Sequence, residues 1–225
     1  MRLIGYQVTP KTNQNNASTA FLQVNFTPYC FTLPSIMSEN IVQEDRMHGS
    51  IFVLLKRFVE NSYDYSTWIK LLEASGIAHA SYQMQDMYPT REIFAIVNKA
   101  SEISGTPAYE LMEQFGEFLV PDLLLIYKKY VNPAWRTYDM LLNTELSMHG
   151  AVKSQDNRTS PPMLLVTRKG DKQLIVDYHS KRKMAGVAVG IIKGIAKYYH
   201  ENDQVTVTRL TPVDQERVQI RVDFI

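Results

Sequence analysis

The chain carries five histidines, His48, His79, His149, His179 and His200, and no two of them stand three or four residues apart, so a helical two-histidine metal site is absent. Cys30 is the only cysteine, which removes a thiolate cage and any disulfide within the chain. Carboxylates are scattered, and no Gly-rich phosphate loop, HExxH pair or nucleophile elbow occurs. A protein-held metal would therefore rest on a single histidine, which suits iron that already has four porphyrin nitrogens. The densest polar pattern is Tyr178-His179-Ser180-Lys181-Arg182. In an extended chain Tyr178, Ser180 and Arg182 share one face, and His179 and Lys181 point to the other. Two hydroxyls beside a guanidinium fork make a carboxylate-binding cluster. A solvated strand edge has the same composition, so the residues alone leave both readings open.

These residues must be positioned by two kinds of element. From Met47 onward the apolar period is helical: Ile51, Leu54, Leu55, Phe58 and Val59 form one stripe. Further helices are expected over 66–75 with Ser66 as cap, 90–104 with Thr90 as cap, 107–118 with Thr106 as cap, 122–129 and 135–149. Gly76 and Gly105 stand where helices stop. Past Asn157 the period becomes two. Strands are expected over 163–167 and 174–178, joined by a turn at Lys169-Gly170-Asp171, and over 204–210 and 217–224. A helix over 183–200 separates the two pairs, and Gly186 and Gly190 within it read as close-packing positions. The fold class is α+β: a helical half, then a small antiparallel sheet with one inserted helix.

Charge and length exclude several functions. With 24 Lys and Arg against 23 Asp and Glu, the formal net charge is +1, which offers no electrostatic footprint for nucleic acid or an anionic membrane. The longest uncharged apolar run, Met184 to Ile192, is far short of the ~18 residues that span a bilayer. The N-terminus lacks the apolar core of a secretory signal, and a cytoplasmic location is expected. Residues 1–46 show no helical period; 20–27 could form a lone strand. They are expected to be an extension, disordered or outside the native domain, with Met47 as the true start.

Tyr178-x-Ser180-x-Arg182 matches the heme-propionate signature of the heme nitric oxide/oxygen binding (H-NOX) family, the sensor domain of soluble guanylate cyclase and its bacterial relatives. Met47-His48-Gly49 before an apolar helix resembles the start of that domain. The run from Pro107 through Gly116 resembles its central helix, and Pro161-Pro162 follows His149 at the family spacing. The resemblance covers 47–225. It implies heme b (iron protoporphyrin IX) between the helical half and the sheet, His149 as proximal iron ligand, and Tyr178, Ser180 and Arg182 on the propionates. It also implies that Pro162 presses on the porphyrin and that Met140 and Leu146 are among the heme-binding residues. The polar stretch 153–160 departs from the family and leaves the path from His149 to the prolines open.

The resemblance places Ile51, Leu55, Phe115, Leu119, Val187 and Ile191 on the distal side, where none supplies a hydrogen-bond donor. Val187 stands where oxygen-binding members have a tyrosine, so NO and CO are the expected ligands. No kinase, cyclase or phosphodiesterase sequence is attached within the chain, and the implied output is a separate protein such as a histidine kinase or a cyclic-di-GMP enzyme. A heme protein with a redox or heme-transfer role, and a heme-free scaffold of this fold, use the same elements. An enzyme is not expected, because no nucleophile–base pair or two-carboxylate site can be nominated.

Overall fold

The computed structural model describes residues 44–225; residues 1–43, with the strand expected at 20–27 and Cys30, lie outside the described residues. Helix α1 (Gly49–Ser62) buries Phe52, Leu54, Leu55 and Val59. His48 caps it, accepting the Ser50 N–H, and Gly49 lies so close to the Gln83 carbonyl that a Cβ there would stand 1.8 Å from the oxygen. Helix α2 (Tyr65–Ala74) is capped by Asp64, not Ser66: its carboxylate accepts the Thr67 N–H at 2.7 Å. Helix α3 (Thr90–Ser104) ends at Gly105 with φ 74°. Thr90 is the first residue of α3, and the residue before the next helix is Pro107, so neither Thr90 nor Thr106 is a cap. Among the described residues, no helix is long and apolar enough to cross a membrane.

The two helices expected at 107–118 and 122–129 are one, α4 (Ala108–Ile126), which runs through Pro121 and is followed by a 3-10 turn, Lys128–Tyr130. A proline inside a helix costs about 3 kcal/mol. Burial of Phe115, Leu119, Val120 and Leu124 along the same helix outweighs it, at roughly 1.5–3 kcal/mol for each side chain.

The helix expected over 135–149 departs further. Helix α5 covers only Thr137–Asn143, a π-helical turn spans Thr144–His149, and helix α6 (Gly150–Gln155) continues the chain. His149 therefore lies inside a helical run and does not close one.

The strands form two sheets. A short pair joins β1 (Arg46–His48) to β2 (Met87–Pro89). The main sheet has the order β3 (Met163–Arg168), β4 (Gln173–His179), β6 (Arg217–Phe224), β5 (Val205–Arg209), antiparallel throughout. The two hairpins expected from the alternation are thus one sheet, because β4 pairs with β6. Leu174, Val176 and Tyr178 sit opposite Val222, Ile220 and Val218, and all six are buried on one face. That face packs on helix α7 (Ala185–Tyr198) through Val189, Ile192 and Ile195, and on Met140 and Met148. A second core joins α1, α2, α3 and α4.

α4 and α7 cross at backbone contact. Gly186, Gly190 and Gly194 repeat every fourth residue of α7, on one face. A Cβ on Gly190 would stand 1.9 Å from the Glu113 carbonyl oxygen, and one on Gly116 would stand 2.2 Å from that of Val187. Lys193–Glu113 and Lys197–Glu117 ion pairs flank the crossing. Helix propensity alone makes Gly190→Ala stabilising by about 0.5–1 kcal/mol. The contact reverses the sign, and we expect destabilisation on the order of 2–3 kcal/mol, read as a lower denaturant midpoint at unchanged slope.

Candidate functional site

His149 is the best-supported candidate for ligation. It lies on the π turn with its side chain 15% exposed, and its Nδ1 is 2.9 Å from Oε2 of Glu145, four residues earlier. Burial pushes the imidazole below its ordinary pKa, although Glu145 pulls the other way. Burial also opposes the Glu145 charge, but the hydrogen bonds from His149 and Leu164 outweigh it and hold that carboxyl below its usual range. The pair is a neutral imidazole against a carboxylate. Nδ1 then carries the hydrogen, and Nε2 keeps its lone pair for a metal.

The widened turn also determines which neighbours accompany His149. An i→i+5 turn carries a residue three positions away further from His149 than an α-helix does, while the residue four away stays beside it. Glu145 accordingly faces His149. Leu146, expected among the heme-binding residues, is turned outward and is 83% exposed. Met140, one turn earlier, is buried in the core beneath the sheet.

The stretch 153–160 links His149 to the prolines through a compact loop. Arg158 donates to both oxygens of Asp156 and to the Gln85 carbonyl, and Thr159 Oγ1 donates to the Asp156 carbonyl. His48 Nε2 stands 3.8 Å from Asp156. These contacts fasten the loop to the helical half, and Pro161 and Pro162, both half-buried, lead directly into β3.

The strand alternation expected through Arg182 stops at His179, which is exposed. Residues 180–183 turn instead: Ser180 Oγ accepts the Arg182 N–H at 3.2 Å, and the Ser180 carbonyl accepts the Lys183 N–H at 3.1 Å. The turn still brings the polar group together, with the Ser180 side chain and the Met184 backbone beside the Tyr178 hydroxyl. Burial pushes the Tyr178 phenol up, so it stays protonated and remains a donor.

Arg182 holds a carboxylate. Its Nε and Nη2 reach Asp45 Oδ2 and Oδ1 at 2.7 and 2.9 Å, Nη2 also donates to the Arg46 carbonyl at 3.1 Å, and Nη1 donates to the Ser160 carbonyl. Burial opposes the Asp45 charge, and the Arg182 bonds outweigh it and lower its pKa. One guanidinium thus joins β1, the proline loop and the turn after β4.

The distal candidates divide between the two cores. Ile51, Leu55, Phe115, Leu119 and Val187 belong to one, with Ile51 and Val187 only partly buried. Ile191, partly buried, packs against the other. Polar groups in the first core are mostly engaged: Tyr82 donates to Glu92 at 2.8 Å, and Tyr88 accepts from the Gln83 N–H at 2.7 Å. Trp68 Nε1 is buried without a partner among the described residues.

Sequence reading missed Glu145 and Asp45. The i, i+4 spacing to His149 could have revealed the first. Nothing local could have revealed the second, which is 137 positions from Arg182. Because charge-assisted bonds near the surface are worth about 1.5 kcal/mol or less, Arg182→Lys, which loses the bidentate fork, should speed amide exchange at 46–48 up to about tenfold and leave the β4–β6 core unchanged.

The chain is similar to known proteins in both sequence and fold. Residues 48–207 match the family model described as haem-NO-binding. Soluble guanylate cyclase gcy-31 of Caenorhabditis elegans is 22% identical over 138 residues, 61% of this chain, and the chain spans about a fifth of that relative's length. The crystal structure of an H-NOX protein from S. oneidensis in the Fe(II)NO ligation state superposes with TM-score 0.72 at 21% identity, over 80% of this chain and 99% of that one. The NMR structure of a Shewanella oneidensis H-NOX domain in the Fe(II)CO state gives 0.69 at 21%, over 80% and 99%. An unliganded Fe(II) H-NOX variant from K. algicida gives 0.69 at 17%, over 80% and 97%. These likenesses share the fold, and the matched stretch contains both His149 and the turn from Tyr178 to Arg182: the chain belongs to the haem-NO-binding, or H-NOX, family.

Proposed function

We propose that the chain is a heme-based sensor of NO and CO that holds heme b through His149 and passes its state to a separate signalling protein. The observation that carries this reading is the buried imidazole of His149, whose Nδ1 faces Glu145 and whose Nε2 is left free to ligate. The rest of the donor set fits the group. Arg182 is already aimed at a carboxylate, with Tyr178 and Ser180 beside it, which is what a propionate requires. A propionate on this fork shares it with Asp45 or displaces it.

Heme iron, when bound, would supply a binding site for a diatomic gas, with His149 as its protein ligand. His149 holds the metal from the π turn. Tyr178, Ser180 and Arg182 would hold the propionates, Pro162 and Met140 would contact the porphyrin, and Ile51, Leu55, Phe115, Leu119, Val187 and Ile191 would keep the gas side apolar. A charge-assisted hydrogen bond is worth roughly 1.5–3 kcal/mol, about ten- to a hundredfold in affinity. Oxygen, which takes on partial negative charge, needs such a donor; NO and CO do not. The residue at the decisive position, Val187, has none.

The output element is the segment from Thr144 to Gln155. Anchored at His149, it rests against β3; freed there, it can shift against the sheet, which is a ligand-biased two-state switch. A histidine kinase, a cyclic-di-GMP enzyme or a cyclase chain are the partner classes that suit a sensor domain of this kind.

The ferrous protein should bind NO and CO with shifted Soret bands and form no lasting oxy complex in air. A persistent oxy spectrum overturns the gas selectivity, and its loss in Trp68→Phe would assign the donor to that indole. His149→Gly should lose heme or its five-coordinate ferrous spectrum, and an unchanged spectrum removes the assignment. Arg182→Leu should weaken heme retention about tenfold, measured by transfer to apomyoglobin.

A further inference from the structure

Glu145 is engaged on three sides. Oε2 lies 2.9 Å from His149 Nδ1 and accepts the Leu164 N–H at 3.0 Å, and Oε1 is 3.3 Å from Lys153 Nζ. Leu164 is the second residue of β3, two positions past Pro162. A surface i, i+4 pair contributes little to stability and fixes nothing else. This carboxylate instead joins an imidazole on the π turn to a backbone amide of the sheet, and both of its side-chain partners come from the same helical run.

An ionised carboxylate only accepts hydrogen bonds, so the nitrogen that faces it must carry the hydrogen. For a neutral imidazole that settles the tautomer: Nδ1–H toward Glu145, bare Nε2 on the other side of the ring. Carboxylates that accept from a ligating histidine also orient its ring and increase its donor strength, and losing one typically lowers metal affinity 10- to 100-fold.

We propose that Glu145 is the positioning residue for the iron ligand: it holds His149 in the Nδ1–H tautomer, strengthens its Nε2 as a donor, and couples the ring mechanically to β3 through Leu164. The proposal rests on the reading of His149 as the ligand. The same oxygen serves ring and strand, so a shift of the imidazole pulls on the start of β3 and the prolines before it. The link lies within the chain and does not depend on the path of the surrounding loop.

The test uses Glu145→Ala and Glu145→Gln, the second keeping a neutral acceptor at nearly the same length. In apo-protein labelled with 15N-histidine, NMR should show His149 as the Nδ1–H tautomer in wild type, a mixture in Glu145→Ala, and the wild-type form largely retained in Glu145→Gln. In ferrous heme-loaded protein, the iron–imidazole stretching band should move to lower frequency in Glu145→Ala, with Glu145→Gln intermediate. The NO spectrum of Glu145→Ala should move toward that of protein lacking His149, and heme retention should fall about tenfold. Identical tautomers and an identical stretching band in wild type and Glu145→Ala overturn the proposal while His149 remains the ligand. A wild-type ferrous spectrum in His149→Gly is a different result: it overturns the ligand assignment, and the proposal with it.

Discussion

The backbone contact between α4 and α7 is the constraint on which the remaining structure depends. Gly190 against the Glu113 carbonyl and Gly116 against that of Val187 bring two long helices closer than any side chain allows. α4 contributes Phe115 and Leu119 to the helical core and Val120 and Leu124 to the core under the sheet, so this single crossing joins the two halves. It also sets the positions of both ends of the site. Val187 enters the helical core from α7, and the turn carrying Arg182 leads into the same helix. Pro121 is tolerated because the crossing and the burial along α4 keep that helix continuous.

Around this frame, the site is held by charged groups that each bind more than one element. Arg182 gathers Asp45, the Arg46 carbonyl and the Ser160 carbonyl. Glu145 gathers His149, Lys153 and the Leu164 amide. Arg158 closes the loop between them through Asp156 and Gln85. The polar character of 153–160 is thereby explained: those side chains satisfy one another and the backbone of a loop that must cross between the two halves. Such multiply bonded groups are where a small displacement at one residue is felt at another.

Much of this was legible in the residues, for identifiable reasons. The stripe of α1, the alternation of β4 and β6, Gly105 as a helix stop and the packing role of Gly186 and Gly190 are all local or periodic, and periodicity survives into the fold. The breaks were not legible. Two helices were expected where α4 runs on through Pro121, because the burial that offsets a proline inside a helix is not visible in sequence. The π turn at 144–149 leaves the apolar period of a helix nearly intact yet rotates Leu146 out to solvent. The strand reading of 178–182 failed at Ser180, whose side chain bonds the Arg182 amide and turns the chain.

The sequence by itself determined the class of fold, the family, and the candidate residues His149, Tyr178, Ser180 and Arg182, because residue type and spacing are local properties of the chain. Only the tertiary structure decided what each of them faces. Asp45 meets Arg182 across 137 positions, β4 pairs with β6 across an intervening helix, and Glu145 reaches both an imidazole and a strand amide. Such pairings depend on how close two backbones can come. At the crossing of α4 and α7 that distance is set by glycines, whose missing Cβ atoms let the two backbones meet.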